Sequence, residues 1–140
     1  MGYTHYWEIK KQPTNKQWAQ IQTAVEKLVN LKKVKPLIRY ESDVNRPPLV
    51  CQEFVRFNGR GDEGHETFYF SREKSGFEFC KTARKPYDEA VTACLCIAEH
   101  YAPDCYVVKS DGGSEDWEKG RTLAEKVTGL GEDMRIPKLV

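Results

Sequence analysis

The densest group of chemically active side chains in the sequence is a short basic cluster in its second half. It comprises Lys81, Thr82, Arg84 and Lys85, which place three cations and one hydroxyl within five residues. The following residue is a proline, which suits the first position of a helix, so the cluster is predicted to precede a helix N-terminus. Free backbone N–H groups and the positive end of the helix dipole favour an anion there, and an arginine fork matches a phosphate. The cluster therefore predicts a phosphate or carboxylate site, with a solvated basic turn as the alternative.

A second candidate group is formed by alternate residues of the first predicted strand, Tyr3, His5 and Trp7. Alternate residues of a strand share one face, so His5 would point inward if this face is turned toward the core. A buried histidine needs hydrogen-bond partners for both ring nitrogens. His5 is therefore either a hydrogen-bonded core residue or part of a pocket. In the second case, the neighbouring rings would offer a stacking surface for a base.

A third candidate pair, Asn58 and His65, lies at opposite ends of a glycine-rich loop. The segments on either side of this loop are rich in strand-forming residues, so pairing of the two strands would bring Asn58 close to His65. Such a pair can hold a ribose or a base edge. Asn and His are also ordinary turn residues, so the alternative is that they only order the loop.

The sequence offers few groups for catalysis. No nucleophile or metal-ligand motif is present, and only His5, His65 and His100 are available as histidine ligands. His100 is placed to interact with the C-terminal dipole of the second predicted helix, so we expect no metal and no cofactor. One enzymatic alternative stays open, because His5 or His65 acting as acid and base beside a phosphate on Lys81 and Arg84 would make a metal-independent phosphodiesterase.

The composition limits the classes of partner. The chain has 140 residues, 39% hydrophobic and 11% aromatic, which suffices for the core of one domain. Its 22 basic and 21 acidic residues leave a net charge of +1, which disfavours long nucleic acids because they require a wide basic surface. Three Trp, seven Tyr and six Phe are more aromatic bulk than a small core needs, so we expect a homodimer.

The cysteines and the first residues bear on the compartment. The five cysteines are odd in number and lie mostly in apolar stretches, which indicates reduced thiols packed in a core. The first residues contain neither a basic leader nor an apolar stretch, and no apolar run approaches the roughly 18 residues of a membrane span. We therefore expect a cytoplasmic protein without membrane contact.

Hydrophobic periodicity predicts an α+β fold in a single domain over residues 1–140, with a mostly antiparallel sheet of five or six strands packed with three helices. Helices are predicted to begin after Thr14, at Pro86 and at Ser114, where capping residues precede helical spacing. The second helix is apolar on almost every side between residues 90 and 98, so it is predicted to be the most buried. Strands are predicted over residues 3–10, 37–41, 50–58, 65–72, 77–81 and 105–109.

Several of these segments resemble a family of small proteins that we associate with bacteriophages and their bacterial hosts. The segments are residues 2–7 (Gly-Tyr-Thr-His-Tyr-Trp), 57–59 with 65–68, 79–88 (Phe-Cys-Lys-Thr-Ala-Arg-Lys-Pro-Tyr-Asp), and 110–112 with Trp117. The resemblance covers most of the chain, and Lys-Thr-Ala-Arg-Lys-Pro-Tyr-Asp is its most specific part. No established activity comes with that family. The resemblance therefore implies only a phage-associated intracellular context, in the host cytoplasm if a phage encodes the chain.

Together, these patterns predict a non-enzymatic protein that sequesters a small phosphorylated nucleotide, such as a cyclic nucleotide immune signal, in a phage anti-defence role. The basic cluster would hold phosphate, and the aromatic face and Asn58 would contact base or ribose. Two alternatives are the phosphodiesterase described above and a protein-interaction module without a small ligand. The candidate ligand-binding residues are Tyr3, His5, Trp7, Asn58, His65, Lys81, Thr82, Arg84 and Lys85.

Overall fold

The computed structural model describes residues 2–73, 76–130 and 133–139 and contains three helices and seven strands. The helices are α1 (Asn15–Val29), α2 (Asp88–Tyr101) and α3 (Ser114–Thr128). The strands are β1 (Thr4–Ile9), β2 (Ile38–Arg39), β3 (Leu49–Val50), β4 (Phe54–Gly59), β5 (Phe68–Ser71), β6 (Gly76–Lys81) and β7 (Tyr106–Ser110). All strand pairs are antiparallel. The predicted α+β class is confirmed.

The strand that carries His5 lies in the middle of a three-stranded sheet. β1 pairs with β6 on one side and with β7 on the other, so that His5 is opposite both Cys80 and Ser110. The face of β1 that carries His5 turns inward, since His5, Trp7 and Ile9 are all buried. This register places His5 between the basic cluster that follows β6 and the turn that follows β7.

A second sheet is built around β4, which pairs with β2, β3 and β5. The strands are thus divided between two sheets of three and four strands. The segment predicted as one strand over residues 50–58 is a tight hairpin, in which the N–H of Cys51 donates to the carbonyl of Phe54. The turn contains neither glycine nor proline, which is why the sequence pattern did not show it.

The core is centred on α2, where all nine residues from 90 to 98 are buried. This confirms that α2 is enclosed on more than one side, with α1 and α3 packed against it. The contact with α3 is close at Gly120, since a Cβ atom there would lie 1.9 Å from the Thr92 hydroxyl oxygen. Four of the five cysteines are buried, as predicted: Cys80, Cys94, Cys96 and Cys105.

The helix ends mostly follow the capping residues. The Thr14 hydroxyl oxygen accepts from the N–H of Gln17 at 3.1 Å, and the Thr14 N–H donates to the side-chain oxygen of Gln17 at 3.0 Å. These two bonds form the predicted capping box of α1. At α3, the cap is Gly113 instead of Ser114, and the Asp116 carboxylate accepts from the Gly113 N–H at 2.9 Å. That bond brings Asp116 to the mouth of the cavity described next.

Candidate functional site

A cavity of about 350 Å³ lies where the first turns of α2 and α3 approach each other. Three of the predicted ligand-binding residues, Tyr3, Arg84 and Lys85, line it. The other charged residues around it are Asp88 and Glu89 of α2 together with Glu115, Asp116 and Lys119 of α3. The volume lies within the range of small-molecule sites, roughly 300–1,000 Å³.

The inner wall of this cavity is the ring of Tyr3, which is only 4% exposed. The Arg84 guanidinium lies over that ring, 4.0 Å from its centroid, and one of its nitrogens donates to the Asp116 carboxylate at 2.9 Å. The Tyr3 hydroxyl is buried and makes no hydrogen bond of normal geometry in the described part of the chain, although the Ser110 hydroxyl lies near it and lowers its pKa. Burial and the carboxylates of Asp88 and Asp116 raise the pKa of Tyr3 to about 12, so the hydroxyl keeps its proton.

Tyr3 is held tightly from the far side by Gly112. A Cβ atom at Gly112 would lie 2.2 Å from the Tyr3 hydroxyl oxygen, so no other residue fits there without moving the ring. A buried hydroxyl without a partner costs roughly 1–3 kcal/mol. The position of Tyr3 therefore opposes stability, which is typical of a group held ready for a ligand.

The turn that delivers Arg84 is strained. Ala83 and Arg84 have φ angles of 52° and 59°, and they are the only non-glycine residues in the described part of the chain with positive φ. Each such residue costs roughly 1–2 kcal/mol. The turn is held by the Tyr3 carbonyl, which accepts from the N–H groups of Thr82 and Ala83 at 3.1 and 3.2 Å. These bonds fix the guanidinium of Arg84 over the ring of Tyr3.

Behind the cavity, His5 connects two strand ends to α2. It is fully buried, with Nδ1 2.8 Å from the Ser110 hydroxyl and Nε2 2.6 Å from the Asp88 carboxylate. The same carboxylate oxygen accepts from the Thr82 hydroxyl. His5 and Thr82 thus hold Asp88 at the cavity wall without lining the cavity themselves. The requirement that a buried histidine satisfy both nitrogens is met.

The hydrogen bonds of Ser110 determine the tautomer of His5. The Ser110 hydroxyl oxygen accepts from the N–H of Gly112 at 2.9 Å and from the indole N–H of Trp117 at 3.1 Å. A hydroxyl has two acceptor positions and one proton, so that proton is left for Nδ1 of His5. His5 therefore accepts at Nδ1 and donates from Nε2 to Asp88.

This Ser110–His5–Asp88 chain has the residue types of a hydrolase triad but not its accessibility. A nucleophilic hydroxyl must reach a substrate, whereas Ser110 has both acceptor positions occupied and does not line the cavity. His5 has no exposed atom from which to exchange a proton with a ligand. The chain positions Asp88 and does not present a nucleophile.

The charges around the cavity are mixed. Arg84, Lys85 and Lys119 contribute three positive charges, and Asp88, Glu89, Glu115 and Asp116 contribute four negative ones. The backbone N–H of Gly113 and the Arg84 guanidinium hold the pKa of Asp116 below its ordinary value, so this group stays ionised. The sequence-predicted anion site is therefore part of a cavity that offers both cations and hydrogen-bond acceptors.

The remaining predicted site residues lie elsewhere. Trp7 is 1% exposed and packs against Phe68 and Phe70 in the core, so its ring is not available for stacking on a ligand. The Lys81 side chain extends toward Gly2 and does not line the cavity. Its backbone N–H and carbonyl both pair with Glu66.

The predicted pairing of Asn58 with His65 is observed, and it orders the loop. Asn58 is 3% exposed, and its side chain donates to the His65 carbonyl at 2.9 Å and accepts from the His65 N–H at 3.1 Å. The amide also bonds to Thr67 and to the N–H of Gly59. Every polar atom of Asn58 is thereby used within the loop, and neither residue lines the cavity.

Six residues of this cavity wall were not among the predicted ligand-binding residues, namely Pro86, Asp88, Glu89, Glu115, Asp116 and Lys119. Four of these six are the acidic residues in the first turns of α2 and α3. The usable signal was that two helices each begin with a pair of carboxylates. What the pattern did not contain is the packing that brings the two helix ends together.

Comparisons with protein-family models, with curated proteins and with solved structures found no match to this chain. Among the residues that the structure describes, no three or more His, Cys, Asp or Glu side chains are grouped as metal ligands. In the same residues, every helix is too short or too polar to cross a membrane.

Proposed function

We propose that this protein binds a small phosphorylated nucleotide in the cavity between the first turns of α2 and α3, and holds it without cleaving it. The observation that carries the proposal is Tyr3, a residue of the cavity wall whose buried hydroxyl makes no hydrogen bond of normal geometry among the described residues. The Arg84 guanidinium lies over its ring, 4.0 Å from the centroid. A phenol and a guanidinium side by side offer donors to one phosphate group.

The mixed charges support a nucleotide over a simple anion. Lys85 and Lys119 add two cations for phosphate, whereas the carboxylates around them accept hydrogen bonds from ribose hydroxyls and from the amino groups of a base. A bare phosphate would gain nothing from four carboxylates. A ligand that carries both an anionic part and several donors fits both sets of groups.

Arg84 is free to change partners. Its pair with Asp116 is exposed on both sides, with side-chain exposures of 61% and 35%, and such pairs contribute little to stability. Its guanidinium has no second carboxylate partner among the described residues. A phosphate can therefore take the remaining donors of the fork without breaking a strong internal bond.

The buried state of His5 favours retention of the ligand over hydrolysis. General acid–base catalysis needs a group within hydrogen-bond reach of the reacting atoms. Both ring nitrogens of His5 are occupied, and His65 does not line the cavity. The proposed role is sequestration, and the cytoplasmic, phage-associated anti-defence context expected from the sequence is part of this proposal.

Calorimetric titration with a panel of cyclic nucleotides and cyclic ADP-ribose isomers tests the proposal. The wild type should bind at least one compound of the panel, and Arg84→Gln should abolish this binding while the midpoint of thermal unfolding stays nearly unchanged. Arg121→Gln is the matched control, because Arg121 also pairs with carboxylates of α3 but does not line the cavity. A steep loss of stability in Arg84→Gln, or equal binding by both variants, would contradict the proposal.

We also propose that the chain forms a homodimer through β6. This edge strand exposes Phe77 and Phe79, at 60% and 56%. In an antiparallel sheet, the backbone groups of alternate residues point to the same edge. The N–H and carbonyl of Lys81 point to the outer edge of β6, where both bond to Glu66. The N–H and carbonyl groups of Phe77 and Phe79 point to the same edge and have no partner among the described residues. An identical antiparallel strand of a second copy satisfies them and covers both rings.

Sedimentation velocity at micromolar concentration tests the dimer. The wild type should sediment as a dimer, and Phe77→Ser with Phe79→Ser should sediment as a monomer. Tyr69→Ser is the control, since Tyr69 is 45% exposed on a strand of the other sheet. A monomeric wild type, or a dimer that survives the double substitution, removes this proposal.

A further inference from the structure

A second cavity, of about 320 Å³, differs from the first in the sign of its charges. It lies beside the C-terminus of α1, between β2, the connection that follows β2, and the end of β4. Four of its lining residues are cations, namely Lys35, Arg39, Arg46 and Arg60, and no acidic side chain lines it. In a chain with a net charge of +1, such a local excess is not an effect of composition.

The four cations lack carboxylate partners. None of them forms an ion pair among the residues that the structure describes, whereas the neighbouring Arg56 pairs with Glu41. The C-terminal dipole of α1 contributes a partial negative charge of about half an electron, which four full positive charges outweigh. The lining of the cavity therefore carries an excess of positive charge, and Arg46 has a further contact with the ring of Tyr40, 4.5 Å from its centroid.

Arg39 carries an unpaired donor and lines this cavity, whereas Arg56 and Arg72, whose Nε atoms are also unpaired, do not line it. The Arg39 Nε atom is buried without a hydrogen-bond partner, although the residue lies in β2 and its backbone is fixed by pairing with Asn58 of β4. A buried guanidinium nitrogen normally finds an acceptor, because leaving it unpaired costs free energy. An anionic ligand would supply such an acceptor, and four cations would attract it.

Two further features favour a compact ligand. The Pro47–Pro48 pair forms part of the wall, and proline restricts the backbone there before any ligand arrives. Asn45 adds amide donors next to the arginines. A rigid wall with several forked donors suits a small group with many acceptor oxygens.

We propose that this cavity is an anion site for a compact ligand with two or more phosphoryl groups. Three arginine forks and one lysine provide donors for a chain of phosphate oxygens, and each arginine can bind two oxygens of one group. The inference is independent of the function proposed for the first cavity, since the two cavities share no lining residue.

Isothermal titration with inorganic tripolyphosphate tests this site. The wild type should bind the probe, and Arg46→Gln with Arg60→Gln should weaken binding by at least about tenfold, because each substitution removes charged hydrogen bonds. The control is Lys32→Gln with Lys33→Gln, which removes two exposed charges near the cavity without touching its lining. Thermal unfolding of each variant checks that the fold is kept.

A third variant tests the arginine fork directly. Arg39→Lys keeps the positive charge but removes Nε, and it should weaken tripolyphosphate binding while Arg84→Gln leaves it unchanged. The inference is overturned if the wild type does not bind the probe, or if the Lys32 and Lys33 substitutions weaken binding equally. It is also overturned if only Arg84→Gln weakens binding, or if the wild type binds a single-stranded RNA 20-mer and not tripolyphosphate.

Discussion

Removal of the Tyr3 hydroxyl tests whether this group serves ligand binding or the stability of the fold. Tyr3→Phe deletes one oxygen and leaves the ring on which the Arg84 guanidinium lies, 4.0 Å from the centroid. The hydroxyl makes no hydrogen bond of normal geometry in the described residues. The Ser110 hydroxyl near it already bonds to His5, Gly112 and Trp117, so deletion of the Tyr3 oxygen breaks none of these bonds. We therefore expect a variant that is more stable and binds its ligand more weakly.

The magnitudes follow from the burial of that hydroxyl. A buried unpaired hydroxyl costs roughly 1–3 kcal/mol, so the free energy of unfolding should rise by about 1 kcal/mol in Tyr3→Phe. In a domain of this size, that corresponds to an increase of about 3 °C in the midpoint of thermal unfolding. The hydrogen bond lost to the ligand should weaken binding about fivefold to tenfold.

Tyr106→Phe is the matched control. The Tyr106 hydroxyl is also buried without a partner among the described residues, but its ring packs against Phe70 in the core and does not line the cavity. Scanning calorimetry should show a similar gain in stability for both variants, and titration with the ligand should show weaker binding for Tyr3→Phe alone. If Tyr3→Phe is less stable than the wild type, the hydroxyl has a structural partner and the reasoning is refuted.

Substitutions at three further positions test the supports of the cavity. Ala83→Gly should raise the free energy of unfolding, measured in urea titrations, by about 0.5–1 kcal/mol. Relief of the positive φ at this residue outweighs the added freedom of glycine in the unfolded chain. A lower free energy of unfolding would show that the turn is unstrained. Asp88→Ala should lower the free energy of unfolding by about 3 kcal/mol, since the hydrogen bonds to His5 and Thr82 are lost. Asp88→Asn should lower it by about 1 kcal/mol, since one acceptor oxygen stays. Equal losses in the two variants would contradict the tautomer assigned to His5. Gly120→Ala should lower the free energy of unfolding by about 3 kcal/mol, and with it the midpoint of thermal unfolding, because α2 and α3 must move apart to admit the Cβ atom. An unchanged midpoint would mean that the contact between α2 and α3 at Gly120 is loose.

The predictable parts of the fold are those that a short local stretch of sequence determines. The capping box at Thr14 determines where α1 begins, and the apolar run from 90 to 98 determines that α2 is enclosed. The hairpin of β3 and β4 was not predictable, because its turn has ordinary polar residues. Nor does any local signal show that the strands divide into two sheets, since that depends on which distant strands pair.

The same limit applies to the candidate site. Alternation along β1 put His5 on one face with Tyr3 and Trp7 but left open whether it packs in the core or belongs to a pocket, because its partners are 83 and 105 residues away in the chain. The basic cluster was visible as a sequence, whereas the left-handed turn inside it was not, because Ala83 and Arg84 carry no glycine signal. The acidic half of the cavity comes from the packing of two helix ends, which no periodicity describes.

The second cavity was missed for a related reason. Its four cations are spread from Lys35 to Arg60, so they form no cluster in the sequence. They meet because β2 pairs with the end of β4, which brings Arg39 and Arg60 close to the same loop. A net charge near zero over the whole chain concealed this local excess.

The most direct test of the central claim is to recover the ligand. Wild type and Arg84→Gln are incubated with the panel of cyclic nucleotides and cyclic ADP-ribose isomers, freed of unbound compound by gel filtration and denatured by heat, and the supernatant is analysed by mass spectrometry. The account predicts that the wild type releases an intact compound only on denaturation and that Arg84→Gln releases none. Recovery of a cleaved product would show an enzyme, and the absence of uptake by the wild type would contradict the claim that this cavity holds a nucleotide.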